Sequence, residues 1–524
     1  MRLSNYYNFK NTIKFFIDID NLDYRDVQID KRSWSEPFAF RIRKNQNSFR
    51  TLQIPNIYNF KVAYEYYKTQ LSSLGLDFEK LEELDDHKRM KISYELGEFK
   101  ENSYNEWQLD DYNKLIEYDY LLRYDIKSYY ENIYTHYILN DKTTDKNIDK
   151  PLSHMYNGRT AGIIMGNYIS LYMAELLSVK ISKLFEQKLK ELNIDCYFSY
   201  FSDDFYIFLH KNDLEKVTDI FDKVLEKFGL SKNDDKIKKY DYLEYSNDDK
   251  LEKYWKIITR KCKNQQYYQN LKIVNGKLKQ NNNLFFTNQI IYRLNKLDDY
   301  RLKKVFVVNF FKSEFFRSID FSNTYIDEYN YHQILFLIKE FPEIVLYIDS
   351  IINSFDLFKK DEFKKIVVTF FEKSLNKSFH DEQLYYFYLI YKIDGLDMLK
   401  NDIIKEKVLE TNNFILISYY LKEHLFDDSE ISIIKSYDEE KYWLVFYYLI
   451  LLDSNLYSDL ENSIMRYLIP KNASNHDSIN AYKNFYLSNL SQKNEILIDL
   501  DKIEESLNDY FKLKNKLRNI DEEE

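Results

Sequence analysis

The stretch that most constrains the fold is "CYFSYFSDDFYIFLH", residues 196–210. Two aromatic, β-prone runs flank the adjacent acids Asp203 and Asp204. This pattern predicts a β-hairpin with the acids at its turn, because Asp tolerates turn geometry and bonds its own backbone. A turn alone would explain an isolated pair. The functional alternative is phosphoryl-transfer chemistry on two metal ions, which calls for a third acid at the end of another apolar strand.

Asp125 meets that requirement, because it ends the apolar run in "YDYLLRYDIKSYY", residues 118–130. We expect Asp125, Asp203 and the backbone carbonyl of Ile126 to hold two Mg²⁺ ions, with Mn²⁺ as an alternative. Mg²⁺ prefers hard oxygen ligands together with substrate phosphates. Asp204 is predicted to be the outer carboxylate of the turn. Two such ions would activate a 3′-hydroxyl and stabilise the leaving pyrophosphate.

Further candidates surround these acids. Gly162 and Gly166, in "GRTAGIIMGNYIS", would let the backbone approach a sugar or base pair. Ser170, which starts the helix behind them, is a further candidate nucleotide-binding residue. Lys236 would reach a triphosphate, and Tyr130 would pack under a sugar and exclude a 2′-hydroxyl. The structural alternatives are loop flexibility for the glycines, a solvated charge for the lysine and plain packing for the tyrosine.

The first 250 residues mix strand and helix patterns and predict an α+β fold. Residues 37–56, "PFAFRIRKNQNSFRTLQIPN", predict two strands around a polar turn. Residues 163–192 predict a long buried helix, and residues 214–230 predict an amphipathic one. The order strand, helix, hairpin, helix predicts a small sheet with helices on one face.

Strand signals thin out from residue 284 onward. Several apolar helices with short polar joints follow, which favours stacked helix pairs of solenoid type. We therefore predict an α+β domain over residues 1–250, a connector over 251–283, and an α-helical repeat domain over 284–524.

Charge and composition limit the function classes. The net charge of −10 weakens a tight, processive grip on a template, because phosphate neutralisation dominates such binding. Arg41, Arg43, Lys44 and Arg50 suggest a local basic groove. The two cysteines cannot build a disulfide framework or a zinc cluster. The longest apolar run, residues 442–452, is about half the length of a membrane span. We expect no signal peptide, no membrane partner and a cytoplasmic protein.

The ordered motifs resemble the palm of reverse transcriptases. In chain order these motifs are Asp125-x-x-x-x-Tyr130, Gly162-x-x-x-Gly166-x-x-x-Ser170, Phe201-Ser202-Asp203-Asp204, and Lys236. "RTLQIPN", residues 50–56, resembles their fingers, where a basic residue, here Arg50, contacts the incoming nucleotide. "DIKSYYENIYTH" followed by a helical tail resembles the abortive-infection (Abi) branch, the AbiK/AbiA-like phage-defence reverse transcriptases.

This resemblance implies a fingers–palm domain followed by an all-α, HEAT-like repeat domain in place of a thumb. It implies an antiphage DNA polymerase that uses dNTPs and performs protein-primed, template-independent synthesis. The DNA product would be attached to the protein, and the chain would form a homo-oligomer. The phage trigger is not identified by the sequence. Tyr6, Tyr7 and Tyr24 are the candidate priming tyrosines, because a phenol can replace a 3′-hydroxyl as nucleophile.

Two positions depart from the family pattern. Phe201 stands where the family has Tyr, and Ile164 stands where it has Pro; neither change removes a metal ligand. The sequence leaves two alternative functions open. One is a conventional RNA-templated reverse transcriptase, and the other is an inactive helical scaffold, against which the presence of all three acids argues.

Overall fold

The computed structural model describes the chain except for residues 10–11, 101–102, 140–142, 144, 146, 249–270, 275–276, 281–284, 298, 318, 320, 322–325 and 522–524. Two compact units are present. The first unit comprises residues 1–39, 52–246 and 436–524, and the second comprises residues 40–51 and 247–435. Most of the predicted connector, and Cys262 within it, lies outside the described residues. Two strands are described within the connector range, where the sequence predicted only a linker.

The strands are β1 Phe38–Arg43, β2 Phe49–Ile54, β3 Ile92–Ser93, β4 Glu98–Phe99, β5 Tyr120–Asp125, β6 Cys196–Phe201, β7 Asp204–Leu209, β8 Lys238–Tyr240, β9 Leu271–Val274 and β10 Lys277–Gln280. The helices of the first part of the chain are α1 Leu3–Tyr7, α2 Ile57–Ser73, α3 Ser103–Glu117, α4 Tyr129–Asn132, α5 His136–Leu139, α6 Lys150–His154, α7 Tyr168–Glu191, α8 Leu214–Glu226 and α9 Tyr242–Asp248.

The remaining helices are α10 Phe285–Leu294, α11 Tyr300–Lys312, α12 Glu314–Arg317, α13 Glu328–Glu340, α14 Asp349–Asn353, α15 Leu357–Leu375, α16 His380–Lys392, α17 Asp402–Glu410, α18 Phe414–Lys422, α19 Asp428–Ser436, α20 Trp443–Leu452, α21 Ser454–Ser458, α22 Leu460–Tyr467, α23 His476–Ser491 and α24 Ile503–Asp521. The described residues are therefore mostly helical, with small sheets, as an α+β fold requires.

A four-stranded antiparallel sheet forms the centre of the first unit, with strand order β6-β7-β5-β8. The predicted hairpin is confirmed, because β6 and β7 pair around Ser202 and Asp203. Ser202 has a φ of +57°, a left-handed conformation that tight hairpin turns favour. The predicted order of strand, long helix, hairpin and amphipathic helix is also confirmed.

The two faces of this sheet carry different side chains. One face is apolar and packs on α7 and α8, where Phe221 lies 5.3 Å from Tyr124 and 5.0 Å from Phe205 between ring centroids. The predicted amphipathic helix is α8, whose buried residues are Val217, Ile220, Phe221, Val224 and Leu225. Since side chains alternate along a strand, Asp125 and Asp204 belong to the opposite face.

That opposite face is partly covered by α3 and α9. Leu121 and Phe208 form a buried cluster with Leu115 of α3, and Tyr245 of α9 packs against it. Arg89 donates a 3.0 Å hydrogen bond to Asp111 of α3 and packs 3.8 Å from the centroid of the Tyr206 ring. The sheet face is thus open mainly at the end that bears the carboxylates. The sequence pattern does not predict β3 and β4, which are only two residues long each.

Residues 436–524 group with the N-terminal residues, which differs from the predicted division at residue 284. The backbone explains this grouping. The N–H of Asp18 donates to the carbonyl of Ile496 at 2.9 Å, and the N–H of Ile498 donates to Phe16 at 2.9 Å. Pairing of segments almost 500 residues apart leaves no periodic signal in the sequence.

The second unit contains α10 to α18, most of α19 and the distal part of the β1–β2 hairpin. The predicted strands around "KNQNS" are confirmed. Arg43, which had suggested a basic groove, is buried and pairs with Glu382 at 2.6 Å, so its charge is neutralised within this unit. Among the described residues, no helix combines the length and apolar character needed to cross a bilayer. The repeat-type layout of the helices stays a prediction.

Candidate active site

Asp125 and Asp204 lie directly opposite each other on β5 and β7. Direct cross-strand partners have Cβ atoms about 4.5–5.5 Å apart, and like charges at such positions are destabilising. Both side chains are mostly shielded, with exposed fractions of 14% for Asp125 and 27% for Asp204. A sheet tolerates this pair only if nearby cations compensate the charge.

Two cations supply that compensation. The ammonium of Lys236 donates to both carboxylate oxygens of Asp125, at 2.7 and 2.6 Å. The guanidinium of Arg123 donates to Asp204 at 3.2 Å. Burial opposes the charge of Arg123, but the adjacent Tyr206 and Asp204 outweigh it and hold the pKa of Arg123 above its usual value. Asn233 adds an amide hydrogen bond to Asp125 at 3.1 Å.

Asp203 and Ile126 are joined through the backbone. The N–H of Ile126 donates to the carbonyl of Asp203 at 3.0 Å, which fixes the segment after β5 against the hairpin turn. On its other side this segment bonds to the loop after α8, because the N–H of Lys127 donates to Ser231 at 2.9 Å. The structure therefore places Asp125, Ile126, Asp203 and Asp204 at one end of the sheet, as predicted.

A buried hydroxyl network supports the turn from behind. The hydroxyl of Tyr129 donates to the carbonyl of Ala174 at 2.8 Å and lies 2.8 Å from the hydroxyl of Ser178. Ser178 in turn lies 3.4 Å from the carbonyl of Ser202, within the turn. Burial raises the pKa of Tyr129 well above its ordinary value, so the phenol stays protonated. The network connects the segment after Asp125, helix α7 and the Asp-bearing turn.

The predicted glycine loop lies beside the segment that follows Asp125. The N–H of Gly162 donates to Ile133 at 2.8 Å, and the N–H of Ile163 donates to the carbonyl of Tyr130 at 2.9 Å. Gly162 has a φ of +83°, and a Cβ there would lie 3.0 Å from the carbonyl oxygen of Glu131. Gly166, with a φ of +123°, packs against Leu52. Both glycines are therefore required by the protein's own backbone.

Ser170 does not fit the predicted nucleotide contact. It is fully buried in the first turn of α7, where its N–H is capped by the side chain of Asn167 at 2.9 Å. Helix α7 starts at Tyr168 because of this cap, five residues later than the predicted start.

Tyr130 is partly exposed, and Lys236 is about half exposed next to Asp125.

The three candidate priming tyrosines occupy structural positions. The Tyr7 hydroxyl donates to the carbonyl of Pro55 at 2.6 Å, and the Tyr24 hydroxyl donates to Ile19 at 2.7 Å. Tyr6 is 3% exposed and donates to Glu79 at 3.3 Å. Burial raises the pKa of all three phenols. These surroundings disfavour them as nucleophiles.

Arg50 is an exposed residue of β2 that groups with the second unit, and its nucleotide contact stays a prediction.

The carboxylates supply suitable donors for magnesium, since they are hard oxygen ligands at one end of a rigid sheet. Among the described residues, however, no three His, Cys, Asp or Glu side chains are grouped closely enough to hold a metal ion. Asp125 is instead bound by Lys236, and Asp204 by Arg123. The donor set fits Mg²⁺, provided that these carboxylates exchange their present cations for the metal.

Three residues that contact the carboxylates or support their turn are not among those that the sequence pattern predicts: Arg123, Tyr129 and Asn233. Arg123 precedes Asp125 by two positions and therefore shares its face of β5, which an alternation argument would have found. Tyr129 and Asn233 gave no such signal. Their roles depend on contacts with α7 and with the turn after α8, and these contacts are set by the tertiary fold.

No protein-family model and no curated protein sequence matches this chain. Among solved structures it is similar to the apo telomerase of Candida tropicalis lacking its C-terminal domain, at 19% identity over 41% of this chain and 51% of that one, with a TM-score of 0.29. A Candida albicans telomerase in complex with a telomeric RNA fragment matches at 14% identity over 78% of this chain and 65% of that one, with a TM-score of 0.30. Full apo telomerase of Candida tropicalis gives 16% identity, 76% and 70% coverage, and a TM-score of 0.30.

The chain thus spans about half to 70% of the length of these structures. TM-scores near 0.3 do not establish a common fold. The assignment of function therefore has to rest on the geometry of the carboxylates in this chain.

Proposed function

We propose that the chain is a nucleotidyltransferase of the reverse-transcriptase type, which extends DNA at the Asp125–Asp203–Asp204 site. The observation that carries this proposal is the direct pairing of Asp125 with Asp204 at the open end of the central sheet. A protein gains no stability from two opposed carboxylates. Their cost is consistent with a site that binds cations and phosphates.

In the proposed reaction, a hydroxyl oxygen forms a bond to the α-phosphorus of a dNTP, and the bond to the leaving pyrophosphate breaks. Two Mg²⁺ ions, or Mn²⁺ ions, held by Asp125, Asp203, Asp204 and the carbonyl of Ile126, would supply Lewis-acid stabilisation of the charge that develops. Lys236, released from Asp125, binds the triphosphate oxygens. Arg123, released from Asp204, adds a second positive charge on the same face. Tyr130 borders the sugar.

Two observations support short or protein-linked primers over a long duplex. Helices α3 and α9 cover the sheet face beyond Arg123 through the Asp111–Arg89 pair and the 2.6 Å bond from Tyr245 to Asp111. The net charge of −10 also disfavours a long phosphate backbone. We therefore propose protein-primed, template-independent synthesis, with a DNA product attached to the chain. The antiphage role, the phage trigger and a homo-oligomeric state are proposed from the resemblance to the abortive-infection family alone.

The priming residue is better sought among exposed tyrosines than at Tyr6, Tyr7 or Tyr24. Tyr134 and Tyr137 are 40% and 41% exposed and follow Asp125 by only nine and twelve residues. Their phenols are accessible to solvent, which a nucleophile needs. We propose these two as the first positions to test.

The experiment is incorporation of labelled dNTPs by nuclease-treated protein in Mg²⁺, with no template, followed by denaturing electrophoresis. The proposal predicts label that stays on the protein band until DNase or protease treatment. Peptide mapping then locates the attached residue, and Tyr134→Phe and Tyr137→Phe test it. Incorporation only with added RNA, giving a product of fixed sequence, would instead establish a conventional templated reverse transcriptase. Full phage protection by an Asp203→Ala variant would establish a scaffold.

A further inference from the structure

Trp34 is a large aromatic side chain on the surface of the first unit. It is 48% exposed, whereas Trp443 is 2% exposed. A half-exposed indole leaves a large apolar surface in water, and such residues commonly serve as contact points for a ligand or partner.

The backbone on both sides of this indole is fixed. The N–H of Trp34 donates to Asn472 at 2.9 Å, and its carbonyl accepts from the amide of the same Asn472 at 2.7 Å. Ser33 accepts from the Tyr482 hydroxyl at 3.1 Å, and the N–H of Ser35 donates to His154 at 3.0 Å. The exposed ring is therefore presented on a rigid segment. Binding of a ligand to it would cost little additional backbone entropy, because the segment is already ordered in the folded state.

The indole of Trp34 packs against the backbone of Gly158. A Cβ at Gly158 would lie 2.8 Å from Cδ2 of Trp34 and 3.0 Å from Cε2 and Cε3. Gly158 also has a φ of +75°, which side-chain-bearing residues rarely adopt. Because three atoms of the fused ring approach this one point, one side of the indole is supported by backbone.

An exposed cation follows directly in the chain. Arg159 is exposed, and its guanidinium lies 5.0 Å from the centroid of the Tyr156 ring. Two residues after Trp34, the backbone N–H of Glu36 donates to Glu440 at 3.3 Å, and Glu440 also accepts from the N–H of Lys471 at 2.6 Å. The Arg159 guanidinium also donates to the Tyr156 hydroxyl at 3.4 Å, so the charge is held next to Gly158 in the chain. Exposed aromatic rings and positive charges together bind single-stranded nucleic acid.

The segment beneath the indole leads to the carboxylate site. This segment comprises residues 158–163. At its end, the N–H of Ile163 donates to the carbonyl of Tyr130 at 2.9 Å. Thr160 lies between them and accepts from the N–H of Thr135 at 3.1 Å. One short, hydrogen-bonded loop therefore connects the Trp34 surface with the segment that follows Asp125.

We propose that Trp34, supported by Gly158 and flanked by Arg159, is a stacking platform for a base of single-stranded DNA. The choice of DNA as the ligand rests on the proposed polymerase function, whereas the platform rests on the geometry of these three residues. The bound strand is the one that the carboxylate site extends.

The test is quenching of tryptophan fluorescence by a short oligothymidylate, in EDTA and without dNTPs. The protein carries an Asp203→Asn substitution, so that binding is measured apart from synthesis. The chain has 4 tryptophans, and Trp34→Leu removes only the proposed reporter. Stacking of one base predicts that Trp34→Leu loses most of the quenching and weakens binding roughly 5-fold to 100-fold. Tyr329→Leu, an aromatic that is 65% exposed in the second unit, is the matched control and should bind normally.

Arg159→Gln is the second variant, since it leaves the indole in place. It should weaken binding of the oligonucleotide. It should also make the plot of log affinity against log salt concentration less steep, by the amount expected for the loss of about one phosphate contact. If the Trp34→Leu protein shows the same fluorescence quenching and the same affinity for the oligonucleotide as the protein that retains Trp34, the proposal is overturned. Normal DNA binding with loss of self-association would also overturn it and would make the surface a contact between copies of the chain. A polymerase that is active but has no Trp34-dependent binding refutes the platform alone, and Trp34-dependent binding by an inactive protein refutes the polymerase alone.

Discussion

Asp125 and Asp204 lie directly opposite each other in the antiparallel register of β5 and β7, and each carboxylate is bound by a different cation. Lys236 reaches Asp125 from the turn after α8, and Arg123 reaches Asp204 from within β5. Charge balance at this end of the sheet therefore depends on residues from separate segments of the chain. The arrangement gives specific expectations for variants around the site.

Lys236→Met should lower kcat/KM for dNTPs about 10-fold or more, mainly by raising KM. The substitution removes the ammonium that we assign to the triphosphate, and charge-assisted bonds to phosphate are the strong ones. Lys239→Met is the control, because Lys239 pairs with Leu122 and therefore belongs to the opposite face of the sheet. Steady-state kinetics of both variants check this expectation, and equal effects would contradict it.

Tyr129→Phe should reduce kcat while leaving KM for dNTPs nearly unchanged. The hydroxyl supports the Asp-bearing turn through Ser178 and contacts no substrate. Tyr124→Phe is a matched control, since the Tyr124 hydroxyl lies 2.9 Å from Thr218 on α8, on the other face of the sheet. Each variant should lose about 1 kcal/mol of unfolding free energy. A kcat loss in both variants would mean that the Tyr129 network serves stability only.

Gly162→Ala should destabilise the protein more than Gly229→Ala. Both glycines have positive φ, at +83° and +68°, so both variants strain the backbone. A Cβ at Gly162 would also lie 3.0 Å from the Glu131 carbonyl, whereas nothing lies within 4 Å at Gly229. Thermal melts of both variants measure the difference. Gly162→Ala should also lose activity, because the loop is bonded to the segment after Asp125, and an active Gly162→Ala protein would contradict this assignment.

The unfolding free energy should fall as the pH is lowered from about 6.5 to 4. Burial lowers the pKa of His154 to about 4, and it lowers that of His380 to about 3. An unfolded histidine takes up its proton near pH 6.5, so over this range the unfolded state binds more protons and is favoured. His154→Leu should show a shallower loss of Tm across this window. His476→Gln, at an exposed position, should keep the wild-type slope; an unchanged slope in His154→Leu would refute the assignment.

The sequence predicted the carboxylate end of the sheet because the evidence for it is local. Asp125 and Asp203 each follow an apolar β-prone run, and alternation within such runs places the acids. Ser170 was misplaced for a physical reason that a pattern does not contain. Asn167 caps helix α7, and every residue of its first turn is buried, Ser170 included.

Long-range pairing limits prediction in the rest of the chain. The sequence offers the N-terminal tyrosines as candidate primers, yet Tyr7 bonds to Pro55, and Ile17 of the same N-terminal segment bridges to Leu497. No local pattern reports such contacts. The same applies to Arg123 and Lys236, whose partners become evident only from strand register and from the position of the turn after α8.

The central claim is that the opposed carboxylates carry out nucleotidyl transfer. The most direct measurement is pyrophosphate release from dNTPs in Mg²⁺ by the wild-type protein and by Asp125→Asn, Asp203→Asn and Asp204→Asn variants. Asp235→Asn, an exposed acid on the turn that carries Lys236, is the control. The account predicts a loss of about 100-fold or more for Asp125→Asn and Asp203→Asn, a smaller loss for Asp204→Asn, and none for the control. Wild-type release that persists in folded Asp125→Asn and Asp203→Asn proteins would contradict it.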